Sequence, residues 1–229
     1  MFRREFTVAI AAAMAAGALP GWAAAATAAT TETEAATGIR AALERGATAA
    51  VGQLGRTDGF LANPLVRIEL PGHLKDAANL MRKLGQGKKV DELVTAMNRA
   101  AEAAMPEART LFINTVKAIS VEDALKVVRG GATSVTDFFA AKTRVPLGQR
   151  FLPIITKATE KVQLAERYNA IAAKAASLGL LKGDDANVQQ YVTARALDGL
   201  FLMVAEEEKR MRANPLQTGS AILGKVFGR

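Results

Sequence analysis

From Ile39 to Phe227 the apolar residues return every three or four positions, and the rhythm breaks only once, between Gly55 and Gly72. A chain patterned this way must bury helical stripes against one another. Ile39, Leu43, Ala50, Val51 and Leu54 mark a first helix. Leu74, Ala77, Ala78, Met81 and Leu84 mark a second, stopped by Gly85-Gln86-Gly87. Val90, Leu93, Val94, Met97, Ala101 and Ala104 follow, with a stop expected near Pro106. Pro106 suits the first turn of a helix carrying Leu111, Phe112, Val116 and Ile119. Ser120 with Asp123 reads as a capping hydroxyl ahead of a helix that ends at Gly130-Gly131, and Ser134 with Asp137 repeats the device. Pro146 is expected to open the longest region, kinked at Pro153 and continuing through Leu164 to Leu178. A last long helix runs from about Ala186 to Ala213, capped by Asp184 or Asp185. Residues 216–227 form a short amphipathic tail. The predicted fold is all-α, an irregular bundle of about eight helices with one long non-helical loop.

That loop, about 55–72, carries the turn signals Asp58-Gly59, Asn63-Pro64 and Pro71-Gly72. Between them Val66, Ile68 and Leu70 alternate with Arg67 and Glu69, which suits a short extended segment or edge strand. A long ordered loop in a helical domain is a functional candidate. Its structural role would be to strap across the helices and bury Phe60, Leu65 and Ile68.

Ahead of the helices, Arg3-Arg4 precedes an uncharged apolar run from Thr7 to Ala18 and small residues at Gly21-Trp22-Ala23 and Ala24-Ala25-Ala26. This is the layout of a cleavable export signal over residues 1–26. The run falls short of the roughly 20 residues of a membrane span. Arg3-Arg4-Glu5-Phe6 also fits the core of a twin-arginine signal, so both the Sec and the twin-arginine routes remain open. Residues 27–37, rich in Ala, Thr and Glu, are expected to be a disordered tether, and 38–229 a single helical domain. The expected compartment is the periplasm.

Export narrows the chemistry. The chain has no cysteine and one histidine, His73, which excludes the usual zinc sites. A serine triad would need His73, at a helix start, and no Gly-x-Ser-x-Gly turn presents a serine. Gly85-Gln86-Gly87-Lys88-Lys89 is half a phosphate loop and reads as a helix-to-helix turn. No cofactor or metal is implied. Beyond the signal there is no tryptophan, and Tyr168 and Tyr191 are few platforms for stacking bases, so nucleic acid is not expected as a partner.

Removing residues 1–26 takes two of the 30 basic and one of the 22 acidic residues, leaving a net charge of +7. Much of the excess lies in 142–182, where Lys142, Arg144, Arg150, Lys157, Lys161, Arg167, Lys174 and Lys182 face only Glu160 and Glu166. Such a field favours anionic lipid or wall polymer, although a solvated helix surface has the same composition.

The last helix brings polar groups to the core. With Phe201 at zero and about 100° per residue, Asp198 falls near +60°, Glu208 near −20° and Arg212 near +20°. Gly199 to Ala205 is apolar all round, as in a buried helix. Asp198 would then be a carboxylate near the core, while Glu208 and Arg212 can pair. Asn98, Arg99 and Glu102 make a second polar group beside the Met97 stripe. These six either converge on a cleft or lock helices together as caps and ion pairs.

The segments Asp58-Gly59-Phe60, Asn63-Pro64, Met97 to Glu102, Val121 to Ala124, Ala196 to Phe201, Glu206-Glu207-Glu208 and Val226-Phe227-Gly228 together resemble the bacterial family called domain of unknown function 4197. The resemblance covers about residues 36–228 and implies an exported helical protein, with no activity and no catalytic residues to carry over. The expected function is a non-enzymatic binding or scaffolding protein for an anionic envelope component or another envelope protein. A carrier of an apolar ligand or lipid between helices, and an enzyme using buried carboxylates, are the alternatives. The sequence sets neither the partner nor the oligomeric state.

Overall fold

A computed structural model describes residues 21–160 and 187–214, with Glu166 and Tyr168 between them. The described residues are all-α. Helix α1 spans Gly21–Gly55, α2 Gly72–Met81, α3 Gly87–Lys117, α4 Val121–Arg129, α5 Ser134–Thr159 and α6 Val188–Ala213. A π-turn, Arg82–Gln86, links α2 to α3, and Gly85 takes φ 78° there. Only glycine enters that region without steric cost, so the expected helix-to-helix turn is where this residue type is needed.

The long helices form the frame: α3 packs on α1 and α5, and α6 on α5 and α1. Their contact layer holds one apolar core that includes Leu54, Met97, Met105, Leu147 and Leu200. Phe112 of α3 ties two neighbours together, with its ring 4.7 Å from Phe139 of α5 and 6.2 Å from Phe201 of α6. Such pairs add about 0.5–1.5 kcal/mol beyond the area they bury.

Four sequence-based boundaries shift. Helix α3 runs on through Pro106 and α5 through Pro146, where helix starts were expected, and α5 continues past Pro153. An internal proline costs about 3 kcal/mol, which long buried stripes can offset. In α5 the stripe is unbroken: Val135, Phe139, Thr143, Leu147, Phe151, Ile155 and Thr159 are all buried. They follow one i, i+4 ridge, the edge along which obliquely crossed helices pack. Helix α1 takes in residues 27–37, expected as a disordered tether, and Ala36 is buried. Alanine is the best helix former, and continuity with an anchored helix removes the cost of nucleation. The cap of α6 is Asn187 instead of Asp184 or Asp185, its Oδ1 accepting from the Gln189 and Gln190 amides at 2.8 and 3.2 Å. Ser120 caps α4 as expected, accepting from the Asp123 amide at 3.0 Å.

Between α1 and α2 the chain turns through residues 56–66 and then forms neither helix nor turn to Pro71, its burial alternating as in an extended segment. This strap leaves α1 through a tight exit: a Cβ on Gly59 would lie 2.4 Å from the carbonyl oxygens of Gln53 and Leu54. Phe60 and Ile68 are buried beneath it, but Leu65, expected in the core, is 62% exposed. Asn63 sets that turn, since its Oδ1 accepts from the Leu65 amide and its carbonyl from the Val66 and Arg67 amides, which holds residue 65 at the outer bend. No β-partner strand lies beside residues 66–70 among the described residues.

Candidate functional site

Asn98 and Glu102 lie one turn apart on the buried face of α3, so both reach the underside of the strap. Asn98 replaces a neighbouring strand. Its Oδ1 accepts from the Ile68 amide at 2.9 Å, and its Nδ2 donates to the Ile68 carbonyl at 2.9 Å and the Val94 carbonyl at 2.8 Å. Glu102 Oε1 accepts from the Phe60 and Leu61 amides at 3.0 and 3.2 Å. Its Oε2 accepts from Arg99 Nη1 at 2.6 Å, and Arg99 Nη2 reaches Asp58 at 2.7 Å. The hydrogen bond to Glu102 first, then that to Asp58, raises the Arg99 pKa further above its already high ordinary value. The guanidinium therefore stays charged at every pH at which the protein works. Asp58 adopts φ 66°, which aspartate tolerates better than most residues.

Glu208 and Arg212 build a second network about the start of α5. Glu208, fully enclosed, accepts from the Val135 amide at 3.1 Å and from the Thr136 amide and hydroxyl at 2.9 and 2.8 Å. It thus caps α5 from α6, where a carboxylate also complements the helix dipole. The device expected from Ser134 is supplied from elsewhere. Arg212 pairs with Glu208 at 2.8 Å and donates to the Val128 carbonyl and the Ser134 hydroxyl, closing the α4–α5 corner.

Asp198 stands apart. Its side chain is 40% exposed, where a carboxylate near the core was expected, and it pairs with Arg144 of α5 and with Arg195 at 3.1 Å. At about 60° from Phe201 it reaches the α5–α6 seam instead of the buried line that holds Glu208. Leu202, 40% exposed, also leaves the helix short of being apolar-buried on every side.

The six polar residues thus fall into three networks with no shared partner among the described residues, and they do not converge on one cleft. A general base needs a lone pair within reach of a substrate proton. Glu102 and Glu208 spend theirs on backbone amides and guanidinium groups. Among the described residues no group of three or more His, Asp or Glu side chains is placed to hold a metal ion. Sequence reasoning missed Glu207, which is buried and held by Gln53 Nε2 at 3.0 Å and by Arg210. The i, i+3 spacing of Glu207 and Arg210 was the signal available. It also missed Arg40, whose Nη2 donates to the Ile119 carbonyl at 2.7 Å while its buried Nε has no partner among the described residues.

The expected basic surface is partly in view. Lys142, Arg144, Arg150 and Lys157 are all exposed on α5; Lys161, Arg167, Lys174 and Lys182, like the His73 side chain, residues 1–20 of the signal segment and the tail, lie outside the described residues. Arg144 is engaged by Asp198, its guanidinium 5.7 Å from the Phe201 ring centre, and Arg150 by Glu107 at 3.2 Å. Lys142 and Lys157 form no ion pair among the described residues. Between them Val145 is 73% exposed and Leu152 37%. With Val145 at zero, Leu152 lies at about −20°, Lys142 at about +60° and Lys157 at about +120°, an apolar line with cations along one flank. No helix among the described residues is long and apolar enough to cross a membrane.

The sequence model of a family described as a protein of unknown function, DUF4197, matches residues 29–228. No curated protein and no solved structure matches the chain.

Proposed function

The chain belongs to the DUF4197 family, whose description assigns no activity, and from that premise we propose that it is an exported periplasmic protein that binds an anionic envelope surface without catalysing a reaction. The observation that carries this reading is the outer face of α5, where exposed Val145 and Leu152 sit beside Lys142 and Lys157, cations with no ion pair among the described residues. A helix face of this composition favours the boundary of an anionic bilayer, apolar side chains entering and lysines meeting phosphate. Wall polymer offers the same negative charge but no use for Val145. The amino-terminal segment, with its two arginines and uncharged run, supports export to where such surfaces are found.

Sedimentation with phosphatidylglycerol-rich vesicles, phosphatidylcholine vesicles and isolated cell wall, each over a salt series, tests the reading. Binding is expected to the anionic vesicles and to fall as salt screens the charges. Lys142→Ala and Lys157→Ala are each expected to weaken it about five-fold, the effect of roughly 1 kcal/mol per lysine at an anionic surface. Binding that ignores salt and both substitutions, or that is absent at low salt, overturns the proposal.

A further inference from the structure

The strap has two edges, and the Asn98 side chain serves only the one that faces α3. Burial alternates along it, with Val66, Ile68 and Leu70 inside and Arg67 and Glu69 outside. In extended backbone the amide and carbonyl of one residue point to the same side, and those of its neighbours to the other. Both groups of Ile68 are taken by Asn98 on the α3 side. The Arg67 carbonyl and the Glu69 amide and carbonyl therefore face away from α3, toward α6. That direction is confirmed by Tyr191 of α6, whose hydroxyl donates to the Glu69 carbonyl at 2.8 Å. The Arg67 carbonyl and the Glu69 amide have no partner among the described residues.

Beside this edge lies a groove of about 380 Å³ between the strap and α6, with Tyr191 and Leu202 in its lining. The volume falls within the range of roughly 300–1,000 Å³ typical of binding sites. Leu65 and Leu202, two of the large apolar side chains that the fold leaves exposed, stand at it. Its cations Arg67 and Arg195 are neutralised by Glu69 and Asp198, whereas exposed Lys75 has no ion pair among the described residues.

We propose that this outer edge docks an extended peptide segment of a partner protein, one that sets an acidic residue beside apolar ones. The peptide adds a strand where the strap has none. Main-chain bonds to the Arg67 carbonyl and Glu69 amide supply affinity, and alternate side chains supply selectivity. The leucines receive its apolar residues, and the unspent charge of Lys75 selects the acid. An acceptor and a donor at peptide spacing, neither partnered among the described residues, suit a polypeptide, and a lipid chain would use neither. The site lies on the strap and α6, apart from the α5 face, and stands whether or not that face binds membranes.

The probe is a blocked seven-residue peptide alternating leucine with glutamate and threonine, titrated into the ¹⁵N-labelled protein. The expected result is a saturable shift of the Glu69 amide resonance. A counterpart N-methylated along its pairing edge, a counterpart with lysine for glutamate, and the L202E variant should each bind at least ten-fold more weakly. Leu202 is exposed, so the fold should survive; if L202E fails to fold, L65E at the facing position reads the same loss. An unmoved Glu69 amide, equal binding of the N-methylated peptide, or the same shifts produced by concentration alone or by phosphatidylglycerol vesicles in place of peptide overturns the proposal.

Discussion

At the scale of single residues, the buried polar groups hold structure together. Asn98→Ala removes three hydrogen bonds and leaves the Ile68 amide and carbonyl without partners beneath the strap. Each abandoned group costs about 1–3 kcal/mol, so a loss of roughly 2–6 kcal/mol is expected in urea unfolding. Glu208→Ala uncovers two amides of α5 and strips Arg212 of its counter-ion; breaking such an enclosed pair costs about 3–5 kcal/mol. Adding Arg212→Ala should cost less than the sum of the two single changes, since the residues share one network. Sequence alone placed Asn98 and Glu102 together on one flank and paired Glu208 with Arg212. It could not place their remaining partners, because the amides of Phe60, Ile68 and Val135 lie between 30 and 73 residues away in the chain. Backbone amides also carry no residue-type signal. Asp198 was misplaced because a helical wheel gives direction from an axis, not the width of the neighbour that covers it.

Among the elements, prolines misled most. Pro106 and Pro146 read as helix starts, yet both lie inside helices whose buried stripes continue past them. The stripes were legible; that packing outweighs the proline cost was not. Pro106→Ala allows an amide at 106 to reach the Glu102 carbonyl in the usual i−4 bond, and should stabilise the protein by about 1 kcal/mol, read as a higher thermal midpoint. If it destabilises instead, α3 needs the proline to seat against α1, where a Cβ on Gly55 would lie 3.3 Å from Met105 Cβ and 3.9 Å from the Glu102 carbonyl. The strap shows the opposite pattern. Its alternation of apolar and charged residues foretold a short extended segment or an edge strand, and no β-partner strand lies beside it among the described residues. An asparagine side chain resolves the two.

Over the whole molecule, the networks of Asn98, Glu102 and Glu208 tie the strap to α3 and α6 to the start of α5. The two surfaces proposed for partners are the outer face of α5 and the outer edge of the strap. The helical class and the basic tilt of the chain were legible from periodicity and composition. Which cations stay unpaired was not, since Asp198 and Glu107 meet Arg144 and Arg150 only across folded helices. The buried polar side chains latch the strap down as part of the cooperative fold. Amide hydrogen exchange at Phe60, Leu61 and Ile68 tests it most directly. Exchange of these three amides at the rate of the most protected positions in α3, and much faster exchange at Ile68 in Asn98→Ala, is the predicted result. Rapid exchange of the three in the unaltered protein, while α3 stays protected, would contradict it.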